Sequence, residues 1–291
     1  MMTRRGRERW ILLSNCQTLS LARAITALAE TVDCAACDAW QMADRLAEDP
    51  DYFRQFDFML VLANLRDFPG FPAERLPPHA DVPCFNFTGY HPDCCYVAAD
   101  GERIGDGPIG PYHSMIALAG YKEQLSPEAT ARFFNGRIYE QAGYYRQWLA
   151  QRDRMIARFA EFGYDIRGVF RKAGRGRSFM HTIDHPDIVL VMELAKVILR
   201  RLDRSYREEA PLPVDALANM SWPVYPEVGE QLGVAGDYRF RPTDSYAALG
   251  LDDYLETAFA SFGRWDRSRL RVAWQVQPRL QHIRQLIREA L

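Results

Sequence analysis

Short apolar runs alternate with segments of helical periodicity over the first hundred residues, and this alternation restricts the fold more than any other feature of the chain. Residues 10–13 and 58–62 are continuous apolar runs of the kind that forms strands buried on both faces of a sheet. Residues 19–29 lie between them and carry a helical apolar stripe. Further candidates are strands at residues 31–37 and 82–87 and a helix at residues 42–53. The pattern predicts an α/β part with a parallel sheet and helices on its faces.

Beyond residue 110 the pattern is dominated by helices. We predict helices at residues 112–124, 127–134, 138–162, 187–204, 251–262 and 278–291, and an irregular loop at residues 209–245. The expected organisation is therefore an α/β domain over residues 1–135, followed by a mainly helical part over residues 136–291 that closes a cleft.

The charge balance argues against nucleic-acid binding. The 291-residue chain has 36 Lys and Arg against 38 Asp and Glu, a net charge of −2, so any site for an anion has to be a local patch. No apolar run approaches the roughly 20 residues of a bilayer span, and residues 10–13 are too short for a signal-peptide core. The six cysteines lack the spacing of a disulfide framework. We expect a cytoplasmic protein without a transmembrane segment.

The turn after the first predicted strand is the most informative position for function. Asn15, Cys16 and Gln17 lie where a buried strand ends and a helix begins, and open α/β sheets bind ligands at the carboxyl ends of their strands. The positive end of the helix would favour the Cys16 thiolate, and the two amide side chains could receive an oxyanion. A small buried cysteine next to an Asn that caps the helix accounts for the same residues equally well.

Polar groups also follow two other predicted strands. Asn64 comes directly after the apolar run that ends at Ala63, and the polar segment at residues 88–92 follows the third strand candidate. Parallel strands would place these groups at the same edge of the sheet as Cys16. A turn that begins at Asn64 is the competing interpretation.

A histidine-rich segment precedes the helix predicted at residues 187–204. His181, Asp184 and His185 lie within five residues of one another, and an imidazole with a carboxylate partner is the usual equipment of a general base. The alternative is a helix start that is capped by the neighbouring acid. His113 and Ser114 begin another predicted helix, after a segment rich in Gly and Pro.

Residues 167–177 form a predicted basic loop without an acidic residue. Its five cations are Arg167, Arg171, Lys172, Arg175 and Arg177. Such a run in a chain of nearly balanced charge favours a phosphate site, although many charged runs are only solvated loops. Cys34 and Cys37 have metal-site spacing, but no second pair completes a zinc pattern, so no metal is expected.

Taken together, these motifs resemble the WcbI-type capsule polysaccharide biosynthesis enzymes, a family of coenzyme A-dependent acetyltransferases. The resemblance covers roughly residues 8–205 and is carried by SNCQ at 14–17, FNFTGYHPD at 85–93, GPIGPYHS at 107–114 and DHP at 184–186. The family is distantly similar to the SGNH hydrolases, in which a late histidine serves a nucleophile on the first strand–helix turn. Cys16 stands where those enzymes have a serine, so its role as the attacking group stays open.

The resemblance implies acetyl transfer from acetyl-CoA to a sugar hydroxyl of a capsule or surface polysaccharide precursor. The implied catalytic residues are Asn15, Cys16, Gln17, Asn64, Asp184 and His185, with His185 as the base and the three amides as oxyanion donors. The implied coenzyme A contacts are His113, Ser114, Arg171, Lys172, Arg175, Arg177 and His181. Direct attack by the sugar and an acetyl-Cys16 intermediate both stay open, with direct transfer slightly favoured.

Two other functions fit the same residues. An SGNH-like esterase or deacetylase would use Cys16 and His185 with water as the acceptor. A non-catalytic module would bind a nucleotide sugar through the basic loop.

Overall fold

A computed structural model describes residues 7–65, 71–173 and 176–291. The chain forms two compact units, and each is assembled from three separate segments. The first unit comprises Met1–Asn86, Asp153–Arg175 and Asp184–Ala218, and the second comprises Phe87–Arg152, Gly176–Ile183 and Asn219–Leu291. The division differs from the boundary predicted near residue 135, because the chain returns twice to the unit in which it begins.

Strands and helices alternate in the first part of the chain, and helices dominate in the later part, as the sequence predicts. The strands are β1 (Glu8–Ser14), β2 (Val32–Asp38), β3 (Phe58–Leu62), β4 (His79–Val82), β5 (Cys94–Ala99), β6 (Glu102–Arg103), β7 (Tyr112–Ser114) and β8 (Arg271–Val272). The helices are α1 (Thr18–Leu28), α2 (Met42–Glu48), α3 (Met115–Lys122), α4 (Pro127–Ala131), α5 (Gly136–Gln141), α6 (Gln147–Ala160), α7 (Arg167–Ala173), α8 (Ile188–Arg201), α9 (Pro226–Leu232), α10 (Leu251–Phe262) and α11 (Gln277–Glu289).

The first unit contains a four-stranded sheet in the order β2-β1-β3-β4, and every neighbouring pair is parallel. Strand β1 is central, and its residues Ile11, Leu12 and Leu13 are almost completely inaccessible to solvent. On one side of the sheet, Ile11 and Leu13 pack in a core with Met59 and Val61 of β3. Helix α1 packs against β2 and α8. The predicted α/β class with a parallel sheet is confirmed.

The second unit is built on antiparallel pairing. Strand β5 pairs with β6, β7 and β8, and helices α3, α4, α5, α9, α10 and α11 belong to this unit. None of the helices in the described parts of the chain has the length and apolar character to cross a bilayer.

Several predicted element boundaries were wrong, each for a local reason. Strand β4 ends at Val82, and residues 83–88, all described, have no regular structure, because Pro83 lacks the N–H that would continue the ladder. The helix expected from residue 112 begins at Met115, where the Ser114 side chain accepts from the Ala117 N–H at 2.9 Å. The long helix expected at residues 138–162 is two helices, α5 and α6, separated by Gly143 at φ +75°.

The predicted basic loop is mostly helical. Residues 167–173 form α7, which buries Val169, Phe170 and Ala173. Arg and Lys are good helix formers, and Arg167, Arg171 and Lys172 occupy the exposed side of this short amphipathic helix.

Candidate active site

The turn between β1 and α1 is organised by Asn15. Its side-chain oxygen accepts from the Gln17 N–H at 3.1 Å, and its backbone carbonyl accepts from the Thr18 N–H at 2.9 Å. Both bonds fold the chain back immediately after the strand, which places Cys16 at the carboxyl edge of the parallel sheet. The position of Cys16 at this edge was predicted from the sequence, because the residue lies between the end of a buried strand and the start of a helix.

In the first unit, the Cys16 side chain lies close to those of Asp184 and His185, which are 168 and 169 positions further along the chain. The Cys16 sulfur, a carboxylate oxygen of Asp184 and a ring nitrogen of His185 all lie within 4.8 Å of one another. His185 is buried, and the other two residues are half-buried. The structure thus brings a nucleophile-type side chain, an imidazole and a carboxylate to one point.

Gln17 holds the histidine segment in place. Its side-chain nitrogen donates to the carbonyl of Asp184 at 2.7 Å and to the carbonyl of Phe85 at 2.9 Å, while its side-chain oxygen accepts from the Phe85 N–H at 3.3 Å. An amide nitrogen has two protons, so both are used in these bonds. The sequence-based assignment of Gln17 as an oxyanion donor is therefore corrected: the side chain positions Asp184 and His185 beside the turn.

Replacing Gln17 with Met is expected to lower the free energy of unfolding by about 1–3 kcal/mol, because methionine has a similar shape but cannot donate to the carbonyls of Phe85 and Asp184. Urea unfolding followed by circular dichroism measures the change. Gln285→Met is the matched control: Gln285 is exposed on α11 and donates to the exposed Glu289 side chain, so its effect should stay within about 0.5 kcal/mol. Equal effects of the two substitutions would contradict the positioning role.

The environment of Cys16 raises the pKa of its thiol. Burial is the main cause, and the Asp184 carboxylate and the Cys84 thiol add to it. The sequence predicts the opposite, a thiolate stabilised by the start of α1. Backbone hydrogen bonding does lower the Cys16 pKa, but loss of hydration and a neighbouring negative charge outweigh it. These contributions favour the neutral Cys16 thiol at neutral pH, contrary to the expectation.

The neighbourhood of the turn includes residues that the sequence interpretation missed. Cys84 accepts from the Asn15 side-chain amide at 2.9 Å and donates to the Asn86 side-chain oxygen at 3.2 Å. Asp38 ends β2 in register with Ser14, and burial raises the pKa of its carboxyl. Asp38 could have been found by the strand-end rule that singled out Asn64. Asn86 belongs to the FNFTGYHPD motif, which gave no role for its side chain, and Cys84 lies just before that motif in a segment without regular structure.

Asn64 lies two residues beyond β3, as expected. It is exposed, and its side-chain oxygen accepts from the Arg158 guanidinium at 2.8 Å. Its role as an oxyanion donor stays a prediction.

Arg171 and Lys172 of α7 border a cavity of about 420 Å³ in the first unit. The cavity is lined by Asp165, Gly168, Val169, Arg171, Lys172, Glu193, Lys196, Val197 and Arg200. Lys172 and Lys196 both pair with Glu193, at 2.8 and 2.9 Å, while Arg167 is held by the Asp165 carboxylate. The lining contains more cations than acids: two acidic residues stand against Arg171, Lys172, Lys196 and Arg200. Arg175, which was predicted to bind the cofactor, lies outside the described residues.

The remaining predicted cofactor contacts belong to the second unit. His113 and Ser114 are completely buried: the His113 ring faces the Ile104 carbonyl at 3.2 Å, and burial lowers the pKa of this imidazole. Their burial corrects the assignment of both side chains as direct ligand contacts, because Ser114 caps α3 and His113 is enclosed in the interior. His181 is half-buried and Arg177 is exposed; their assignments stay predictions.

The FNFTGYHPD motif contributes buried structural groups to the second unit. The Asp93 carboxylate accepts from the hydroxyls of Tyr144 and Tyr225 at 2.6 and 2.7 Å and from the Ile116 N–H at 3.0 Å. The His91 ring nitrogens face the carbonyls of Pro223 and Met180, and burial lowers the His91 pKa to about 4. These residues stabilise the unit.

Comparisons with known proteins agree with this architecture. A family model described as the polysaccharide biosynthesis enzyme WcbI matches residues 9–207, and no curated protein matches the chain. A solved structure described as WcbI, a novel polysaccharide biosynthesis enzyme, is similar with a TM-score of 0.70 at 16% identity, over 98% of this chain and 100% of that one. That structure is described as the native protein without a disulfide bond between coenzyme A and a cysteine. At this identity the likeness establishes a shared fold.

Proposed function

Because the chain belongs to the WcbI family of polysaccharide biosynthesis enzymes, we propose that it transfers the acetyl group of acetyl-CoA to a sugar hydroxyl of a capsule or surface polysaccharide precursor. The observation that carries the proposal is the grouping of the Cys16, Asp184 and His185 side chains within 4.8 Å at the end of β1. Acyl transfer to a hydroxyl needs a base for the hydroxyl proton and donors for the oxyanion, and the site contains candidates for both.

The described residues fit coenzyme A at its two chemically distinct ends. The related structure is described as lacking a disulfide bond between coenzyme A and a cysteine. We take Cys16 as the corresponding cysteine, so the thiol end of coenzyme A would lie beside it. Arg171 and Lys172, with Lys196 and Arg200 across the same cavity, would hold the phosphates. Lys196 and Arg200 lie 8 and 12 residues after Ile188 at the start of α8, or about 12–18 Å at the helical rise. An extended ligand with a thiol at one end and phosphates at the other suits this separation.

In the proposed mechanism, His185 accepts the proton of the acceptor hydroxyl. Asp184 lies close enough to stabilise the imidazolium that forms. Acetyl-CoA, when bound, supplies an acetyl group activated as a thioester. One amide proton of Asn15 is committed to Cys84, and the other is the candidate oxyanion donor.

The raised pKa of Cys16 supports direct transfer over an acetyl-Cys16 intermediate. A neutral thiol is a weak nucleophile, since the thiolate is the attacking species, and the adjacent Asp184 carboxylate opposes deprotonation. His185 therefore serves the acceptor hydroxyl, and Cys16 shapes the pocket for the thioester end of the donor.

A titration with coenzyme A, followed by the thermal unfolding midpoint, tests the cofactor assignment. The midpoint should rise continuously with coenzyme A concentration, as ligand linkage requires. The double variant Arg171→Ala/Lys172→Ala is expected to weaken binding by about 10–100-fold, which corresponds to the loss of about 1.5–3 kcal/mol of charged hydrogen bonding. Arg45→Ala/Arg54→Ala is the control, because these arginines are exposed in the same unit and pair with Glu48 and Asp51.

Unchanged affinity in the Arg171/Lys172 variant would refute the placement of the phosphates. A protein that shows no shift with coenzyme A but hydrolyses an ester dye would be a hydrolase, which would overturn the proposed acetyl transfer.

A further inference from the structure

The thiol, carboxylate and imidazole of the candidate active site also form a set of metal ligands that no sequence spacing reveals. We propose that Cys16, Asp184 and His185 bind a divalent cation of the zinc class, and that the bound cation blocks the site. The inference goes beyond the proposed acetyl transfer, because chelation needs only these three side chains and neither coenzyme A nor a sugar.

The distances between the ligand atoms fit a tetrahedral ion. Zinc lies about 2.3 Å from sulfur and about 2.0–2.2 Å from nitrogen or oxygen, so two of its ligand atoms are separated by roughly 3.3–3.7 Å. The three ligand atoms of the cluster are all within 4.8 Å of one another. Side-chain movements of up to about 1–1.5 Å close the difference, which small changes of the side-chain torsions supply.

The ligand types select the metal. Magnesium and calcium prefer sites made entirely of oxygen atoms, whereas a thiolate with an imidazole favours zinc and related ions. Three protein ligands leave the fourth position of a tetrahedral ion open. That position would be taken by water or by the thiol of a ligand.

The backbone that carries the three ligands is fixed on both sides. Gln17, next to Cys16, donates to the Asp184 carbonyl at 2.7 Å, so one bond connects the two ligand-bearing segments. On the other side, the Asp187 side chain caps α8 by accepting from the Leu190 N–H at 2.8 Å. Restraints of this kind, outside the ligand atoms themselves, orient metal ligands in proteins.

Metal binding and catalysis would compete for the same atoms. A ring nitrogen of His185 that is bound to the cation cannot accept the proton of an acceptor hydroxyl. Zinc is therefore expected to inhibit acetyl transfer, and a chelator such as EDTA should restore it.

The test measures zinc binding to the full-length protein by competition with a chromophoric chelator, without coenzyme A or an acceptor. We expect one zinc ion per chain and no competition by millimolar magnesium. Cys16→Ser and His185→Gln should each weaken zinc binding by more than about 100-fold. This exceeds the usual loss of metal affinity when a residue that only hydrogen-bonds to a ligand is replaced. Circular dichroism and the unfolding midpoint without metal establish that both variants are folded.

Cys34→Ser and His79→Gln are the matched controls. Cys34 and Cys37 are three positions apart on strand β2. Their side chains therefore point to opposite faces of the sheet and cannot bind one metal ion together. His79 is exposed on β4. Both controls should bind zinc like the original chain.

A second readout locates the ion on the thiol. With cobalt in place of zinc, a thiolate-to-metal charge-transfer absorption band should appear, and Cys16→Ser should remove it. Absence of stoichiometric binding, binding that survives both ligand substitutions, or equal loss in a control would overturn the metal site. Since none of these measurements uses coenzyme A, a failed metal site leaves the coenzyme A titration to decide the proposed function separately.

Discussion

His185→Gln lowers the kcat/KM of acetyl transfer by about 10²–10⁴-fold, the contribution usual for a general base. Glutamine has a similar size but no titratable nitrogen, so the acceptor hydroxyl keeps its proton as it attacks. Affinity for coenzyme A should change less than about threefold, because the phosphate contacts proposed for Arg171 and Lys172 are untouched. The measurement is release of free coenzyme A thiol with a sugar acceptor present, in a buffer that contains EDTA.

His79→Gln is the control for this substitution. His79 belongs to the same unit, is exposed, and contacts the carbonyl of Pro77, so its replacement should leave the rate unchanged. A His185 variant that retains more than a tenth of the activity would show that another group removes the proton. The proposed mechanism would then be wrong even if acetyl transfer itself is confirmed.

Asp93→Ala lowers the free energy of unfolding by about 3–5 kcal/mol. The carboxylate is completely buried and accepts from two tyrosine hydroxyls and one backbone N–H. Its removal takes the acceptor from these buried donors and from the Ser114 side chain, which also hydrogen-bonds Asp93. Each unsatisfied buried group costs about 1–3 kcal/mol. Urea unfolding followed by tryptophan fluorescence measures the loss.

Tyr144→Phe provides the graded comparison for Asp93. It removes one of the donors and leaves the carboxylate bonded to Ser114, Tyr225 and Ile116, so a loss of about 1–2 kcal/mol is expected. If Asp93→Ala were no more destabilising than Tyr144→Phe, the buried network would contribute little and the motif around Asp93 would need another explanation.

The sheet and the first turn of the site were predictable from local pattern. The apolar runs at residues 10–13 and 58–62 become β1 and β3, because only strands buried on both faces tolerate such continuous hydrophobicity. Cys16 was placed by the same reasoning, since the end of a buried strand followed by a helix fixes which edge of the sheet the turn occupies.

What the sequence did not predict depends on contacts between distant segments. The role of Gln17 follows from the carbonyls of Phe85 and Asp184, which are 68 and 167 positions away along the chain. The Cys16 pKa was expected to fall because the helix start, which lowers it, can be recognised from the local sequence. Burial and the Asp184 carboxylate, which raise it, depend on distant segments of the chain. The basic segment was interpreted as a loop because its charges obscured the apolar face that Phe170 and its neighbours form in α7.

The interleaved segments of the first unit have a consequence for biosynthesis of the chain. All four parallel strands have been synthesised once residue 86 is added, yet His185 and helix α8 are made about a hundred residues later. At translation rates of about 5–20 residues per second, the unit waits roughly 7–26 s for its last segment, which ends at Ala218. During that interval the nascent chain exposes the surface of α1 that α8 later covers. Chaperone dependence of expression should therefore be sensitive to substitutions on that surface of α1.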